Sequence, residues 1–286
     1  MQYGYAGKIL HVDLTTGTLD VEEPSDDIYR TYMGGSALGL YYLLKNTPAG
    51  ADPYGPENTL AVMLAGITGA PMAGQSRATV VAKSPLTGGV GDSQAGGFWP
   101  AELKFAGFDG IVVTGVSPKP VYLWISQGEV ELRDAAIMNM HARAHGRTGM
   151  CAGKGSKKLK AIVVRGGKKK LPMADPDGLK KIMQTSLPNI RGDEDVFDLA
   201  KNGTIGILES QNAGGGLPTR NWQSGFMGYD RAAAIGGDRL YDELLRGAAE
   251  ETQFKQGRET CFSCAVRCKR VVQAEWEERM IDPEYG

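Results

Sequence analysis

The chain has 286 residues, 42% hydrophobic and 23% charged, so a folded, soluble protein of one large or two ordinary domains is expected. With 32 basic against 33 acidic side chains the net charge is −1, which removes the basic excess that a phosphate-backbone binder needs and argues against nucleic acid. The opening "MQYGYAGKIL" lacks a basic region followed by an apolar core, and the run around "TLAVMLAGI" is far too short to cross a membrane, so neither a secretory signal nor a membrane segment is expected.

Glycine reaches 40 residues, roughly twice its ordinary share, and shows no period. Its clusters "MGGSALG", "GGVGDSQAGGF" and "GGGLP" point either to main chain approaching a bulky ligand or to many tight turns. "KILHVDL" and "TLDVEE" around "TTG" predict a hairpin. "SDDIYRTYM" predicts a short helix capped by Ser25 and stopped at Gly34. Apolar, β-branched runs follow as strands: "TLAVML", "RATVVAK", "GIVVTGV", "PVYLWIS", "EVELRD" and "LKAIVVRG". Between the second and third, "GFWPAELKFAG" reads as a helix entered from a glycine-rich loop.

The pattern changes at "RGGKKKLPMADPDG", whose basic run and two prolines read as a linker. Beyond it "PDGLKKIMQTSL", "TIGILESQN" and "GDRLYDELLRGAAEETQFK" are helical, the last with an apolar stripe at Leu240, Leu244, Leu245 and Ala248. The expected fold class is therefore α+β: a β-rich domain over residues 1–172, then the beginning of an α-helical domain over 173–286.

Three of the four cysteines lie together in "CFSCAVRC", as Cys261, Cys264 and Cys268, a C-x2-C-x3-C spacing. Positions i, i+3 and i+7 share one side of a helix or helical turn, so three thiolates can converge there. The spacing alone leaves an iron–sulfur cluster, structural zinc and plain core cysteines open. A fourth ligand would have to be remote. In "GGVGDSQAGGFWPAELK" a glycine loop precedes a helix start, an arrangement suited to phosphate, but Gln94 stands where a dinucleotide fingerprint needs its third glycine. "GMCAGKGS" likewise fails as a P-loop, with Gly155 in place of the magnesium-binding hydroxyl. Arg77 and Arg147, each beside small residues, are candidates for bidentate phosphate clamps. His141 and His145, four residues apart, could chelate a metal but have no third ligand nearby in sequence.

Taken together, "YGYAGKILHVDLTTGTLDVEE", "YMGGSALGLYYLL", "SRATVVAKSPLTGGVGDSQAGGFWPAELKFAGFDGIVVTG", "GRTGMCAGKGSKKLKAIVVRG", "GGGLPTRNWQSG" and "CFSCAVRC" resemble, in order, the tungsten-containing aldehyde:ferredoxin oxidoreductases. The resemblance covers that family's N-terminal pterin-cradling domain and the start of its helical domain. It implies a tungsten, or in some relatives molybdenum, bis-pterin held by glycine loops, with Arg77 and Arg147 approaching the pterin phosphates. Gln94, Ala95, Gly96, Thr148 and Gly149 would contact the cofactor, and magnesium would bridge its phosphates. Cys261, Cys264 and Cys268 would bind a 4Fe–4S cluster beside one pterin. The implied reaction oxidises an aldehyde to a carboxylic acid and passes electrons to ferredoxin or a ferredoxin-like subunit, in a cytoplasmic and homo-oligomeric enzyme. Against the family pattern, the chain stops at "DPEYG" before the helical domains are complete, and "VELRDAAIMNMH" joins two family segments directly. A truncated or partial chain, with the catalytic residues unassigned, is therefore expected. A non-catalytic pterin-binding or scaffold subunit and a zinc-stabilised binding protein are the alternatives.

Overall fold

A computed structural model describes residues 3–134, 148–167, 170–248, 257–274 and 277–281. The chain divides into two compact units, Met1–Pro176 and Asp177–Gly286.

The first unit is built on a six-stranded sheet: β1 (Ile9–Asp13), β2 (Thr18–Glu22), β3 (Leu60–Leu64), β4 (Ala78–Lys83), β5 (Val90–Ala95) and β6 (Gly110–Thr114). The spatial order is β2-β1-β6-β3-β4-β5, with β1 and β6 parallel and all other neighbours antiparallel. A smaller sheet, in the order β8-β7-β9, holds β7 (Val121–Ser126), β8 (Glu129–Asp134) and β9 (Leu159–Arg165). Four helices accompany them: α1 (Asp26–Tyr32), α2 (Gly35–Asn46), α3 (Trp99–Phe105) and α4 (Met150–Ser156).

Strand alternation sorts the apolar residues between two layers. Leu10, Val12, Leu60, Val62, Val80 and Ile111 of the large sheet pack with Leu103 of α3 and with Leu123 and Ile125 of the small sheet. Ile9, Ala61, Met63 and Val112 turn to the opposite face, against Tyr29 of α1 and Leu38 and Tyr42 of α2. β3, covered on both faces, is buried along its whole length, which is why it reads as a continuous apolar run.

The first hairpin, α1, α3 and the apolar strands form where the residue pattern places them. Two elements depart from it. "VGDSQA", read as glycine loop, is the edge strand β5: its polar residues are tolerated because one side of it faces away from the sheet. α2 arises from "GSALGLYYLLKN", directly after the expected helix stop. Gly34 makes that junction possible, with φ of 122° and a position where a Cβ would collide with the Leu64 carbonyl oxygen.

Lys157, at the end of α4, is buried with its ammonium donating to the carbonyl oxygens of Gly115 (3.1 Å) and Pro56 (3.4 Å). Burial pulls its pKa from 10.5 down to about 8, with Asp13 pulling the other way. The folded state therefore binds this proton less tightly than the unfolded chain, so stability rises as pH increases from about 8 to 10.5. Denaturant titrations across that window should show the rise in the wild-type chain and a smaller one in Lys157→Met; equal slopes would contradict it.

In the second unit, α5 (Pro176–Gly192), α6 (Glu194–Asn202), a 3₁₀ turn (Thr204–Ile207), α7 (Leu208–Ala213) and α8 (Tyr229–Ala234) precede a three-stranded sheet. That sheet is β10 (Arg258–Glu259), β11 (Lys269–Ala274) and β12 (Glu277–Ile281), in that order and antiparallel. Asp193 caps α6, its carboxylate accepting from the Val196 N–H at 2.9 Å.

The expected long helix from Gly237 ends early. Gly237–Arg239 runs into a π-helical turn at Leu240–Leu244, and Leu245 is extended and bridged to Val272. Arg246 N–H then donates to the Val271 carbonyl, so the sheet recruits the end of what the apolar stripe marks as helix. The remainder of that stretch, 249–256, lies outside the described residues.

Candidate functional site

Two regions carry the residues singled out by sequence, one in each unit. In the first unit the antiparallel register of β4 and β5 pairs Ala78 with Ala95 and Thr79 with Gln94. Beyond the last pair, the Ser76 hydroxyl donates to the Gly97 carbonyl at 2.6 Å. Arg77 and Gly96 therefore face each other between these two links. Below them the Gln75 side chain fixes the turn, accepting from Gly69 N–H (2.7 Å) and donating to the Ala70 carbonyl (2.8 Å). Ser76 and Gln75 are buried, whereas Arg77 is exposed and its guanidinium is free to meet an anion.

β5 is the last strand of its sheet, so alternate N–H and C=O groups of Gln94 and its neighbours point away from β4. Two further pieces of chain reach that strand. The Thr148 hydroxyl donates to the Asp92 carbonyl at 3.4 Å, and the Thr148 carbonyl accepts from the Ser84 hydroxyl at 2.8 Å. Thr148 and Gly149 are consecutive left-handed residues, at φ of 56° and 74°. Gly91 admits this approach, because a Cβ there would collide with the Met150 methyl group. From the other side, the Gln94 amide reaches the Ser36 hydroxyl at 3.5 Å, in the first turn of α2.

Gln94 and Ala95 thus lie on the edge strand β5, Arg77 and Gly96 just beyond its last pair with β4, Thr148 is bonded to Asp92 of the same strand, and Gly149 lies beside Pro85 in the β4–β5 turn. Arg147 lies outside the described residues, as do His141 and His145. Ser36 was not visible as a site residue, because α2 was not; its only signal was the glycine cluster "MGGS".

The second region is the cysteine loop, which joins β10 to β11. It is not helical. Turns carry it, with Ser263 and Arg267 left-handed at φ of 55° and 57°. Thr260 pins the loop by sharing its hydroxyl between the carbonyls of Cys261 (3.0 Å) and Cys264 (2.7 Å). All three thiols are unbonded to one another and half-buried. Burial pushes the Cys268 thiol up, Lys269 pulls it down, and Cys261 and Cys264 push it up again. No set of three His, Cys, Asp or Glu among the described residues closes on a single metal ion.

Three arginines surround the loop. Arg258 of β10 is the cross-strand partner of Arg270 of β11. Arg258 donates to the Val266 carbonyl at 3.0 Å, and Arg267 donates back to the Arg258 carbonyl at 2.7 Å. Arg270 is fully buried and donates to the carbonyls of Arg267 and Lys269, and to those of Leu199 and Ala200 in the last turn of α6. Burial, then Arg258, pull its pKa down to about 10, so it stays charged at neutral pH.

Family profiles match both units: "Aldehyde ferredoxin oxidoreductase, N-terminal domain" over residues 9–137 and "Aldehyde ferredoxin oxidoreductase, domains 2 & 3" over 181–286. The chain belongs to the aldehyde ferredoxin oxidoreductase family. It is similar to the tungsten-containing aldehyde ferredoxin oxidoreductase of Thermococcus kodakarensis, with 34% identity over 99% of this chain and 51% of that protein. The corresponding protein of Pyrococcus horikoshii is 33% identical over the same shares. The chain therefore spans about half the length of the curated relatives it matches. The WOR-like subunit of an aliphatic sulfonate oxidoreductase from Pyrococcus furiosus is 39% identical over 46% of this chain and 22% of that subunit. Among solved structures, the active site complex BamBC of benzoyl coenzyme A reductase, with 1,5 dienoyl-CoA bound, superposes with a TM-score of 0.80 at 25% identity. That match covers 99% of this chain and 49% of the other. The α+β architecture, a β-rich sheet unit followed by helices, is the one this family member shares with that neighbour. No helix among the described residues is long and apolar enough to cross a membrane.

Proposed function

We propose that the chain is the pterin-cradling and cluster-binding half of a tungstopterin oxidoreductase that converts aldehydes to carboxylic acids. The observation that carries this reading is the strand edge of β5. Arg77 stands opposite Gly96, with Gln94 and Ala95 beside them and Thr148–Gly149 folded onto the same strand. Small residues leave the main chain open to a flat, bulky ligand, and the exposed Arg77 supplies a bidentate donor for phosphate. These residues fit a tungsten or molybdenum bis-pterin whose phosphates magnesium would bridge, with Arg147 as a second clamp. When bound, that cofactor would supply the two-electron chemistry RCHO + H2O → RCOOH + 2H⁺ + 2e⁻. The protein's part is placement: the β5 edge offers fixed acceptors and donors, and Gln75 and Ser76 hold Arg77 at the strand end.

Cys261, Cys264 and Cys268 supply three soft thiolates in one turn-built loop, a donor set that fits a 4Fe–4S cluster, whose ligands sit at separate corners rather than around one ion. We assign the cluster to carry electrons to ferredoxin or a ferredoxin-like subunit. A compartment that keeps these thiols reduced, the cytoplasm, suits them, and the enzyme is expected to be a homo-oligomer.

A second reading is favoured by one observation. One similar protein is itself a subunit. In that reading this chain holds the pterin for a partner and turns nothing over alone. Aldehyde-dependent reduction of a viologen dye by anaerobically purified protein separates the two. Turnover supports the first; extractable pterin and metal without turnover supports the second, and dye reduction with neither would sink both.

A further inference from the structure

Arg270 has no exposure at all, and its Nε has no hydrogen-bond partner among the described residues. Every hydrogen bond described for its other two nitrogens goes to a main-chain carbonyl. No carboxylate among the described residues pairs with it. A buried guanidinium is costly unless an anion offsets it. The carbonyls of Leu199 and Ala200 at the end of α6 carry only partial negative charge, and a second cation, Arg258, lies directly across the strand pair. A fully buried guanidinium bonded into the loop that bears three thiols, with main-chain carbonyls as its described acceptors, calls for a full negative charge in that loop. Neutral thiols do not supply it; a thiolate-bound metal group does.

We propose that Arg270, together with Arg258, is the fixed counter-charge of the cysteine loop, stabilising the anionic group held by Cys261, Cys264 and Cys268 and raising its reduction potential. The inference rests on the assignment of an iron–sulfur cluster to that loop. Reduction adds one electron to the cluster and so one negative charge beside the two guanidiniums, which favours the reduced form. No bond forms or breaks and no proton moves. Arg270 and Arg258 are positioning residues here: they touch the loop's main chain and act on the cluster through space.

The test is a redox titration of the full chain, purified anaerobically, poised with dithionite and mediators and followed by electron paramagnetic resonance. Arg270→Gln should retain the cluster signal and lower its midpoint by an amount equal to about a tenfold change in the reduction equilibrium, about 59 mV for one electron. Arg270→Lys, which keeps the charge, should stay near the wild-type value. A merely structural role in capping α6 would lower the melting temperature of both variants and leave the midpoint unmoved, and that result overturns the inference. If Arg270→Gln fails to fold, Arg258→Gln carries the same expectation, and an unshifted midpoint there overturns it equally. Absence of any iron–sulfur signal from the wild-type chain would remove the cluster assignment and the inference with it, whereas a cluster with unshifted potentials removes the inference alone.

Discussion

Asp109→Ala should cost the first unit about 3–5 kcal/mol, a large part of the stability of an ordinary domain. Asp109 and Lys104 form an ion pair with side chains only 1% exposed each. The same carboxylate accepts from Ala6 N–H (3.0 Å), Gly7 N–H (2.6 Å) and the Tyr29 hydroxyl (3.0 Å). It thereby ties the N-terminal segment, α1 and the α3–β6 connection to one point. Burial pulls the Lys104 pKa down, and Asp109 pulls it back up. Removing the aspartate strands a buried ammonium whose only other described bond is to the Gly4 carbonyl at 3.2 Å, and it orphans two backbone donors. Removing the lysine instead leaves the carboxylate with three donors, so Lys104→Met should cost less. Urea midpoints of the two variants check the order, and a smaller loss for Asp109→Ala would contradict it.

Cys264→Ser should abolish the broad visible absorbance of the anaerobically purified protein. The Cys264 N–H donates to the Cys261 carbonyl at 3.1 Å, and Thr260 bonds the carbonyls of both residues, so the loop has a conformation of its own that serine can adopt. The substitution therefore removes a soft ligand without unfolding the turn, and the loss is one of metal rather than of fold. Circular dichroism should match the wild-type chain. An unchanged absorbance spectrum would show that these cysteines are not the ligands.

The strands of the first unit were legible because their apolar, β-branched runs are interrupted by glycine and proline, and their burial is local to each run. β5 was not: "VGDSQA" is polar, and only pairing with β4 makes it a strand. The long helix beginning at Gly237 was overextended because an apolar stripe marks what must be buried, not what buries it: Leu245 is buried and bridged to β11, and the Arg246 N–H bonds to the same strand. Helical convergence of the cysteines failed for a related reason, since Ser263 and Arg267 take left-handed conformations that no helix allows. In the site, the residue types were legible but their company was not. That Arg77 faces Gly96 follows from strand register, and that Thr148 meets Asp92 depends on contacts 56 residues apart. Arg258 and Arg270 carried no sequence signal, because a basic residue in a strand ordinarily points to water; only their burial sets them apart.

The most direct test of the central claim is the metal and pterin content of the chain purified without oxygen. Tungsten or molybdenum with pterin, and about four irons per chain as a 4Fe–4S cluster requires, is the predicted result. Zinc alone, without pterin or iron, would contradict it.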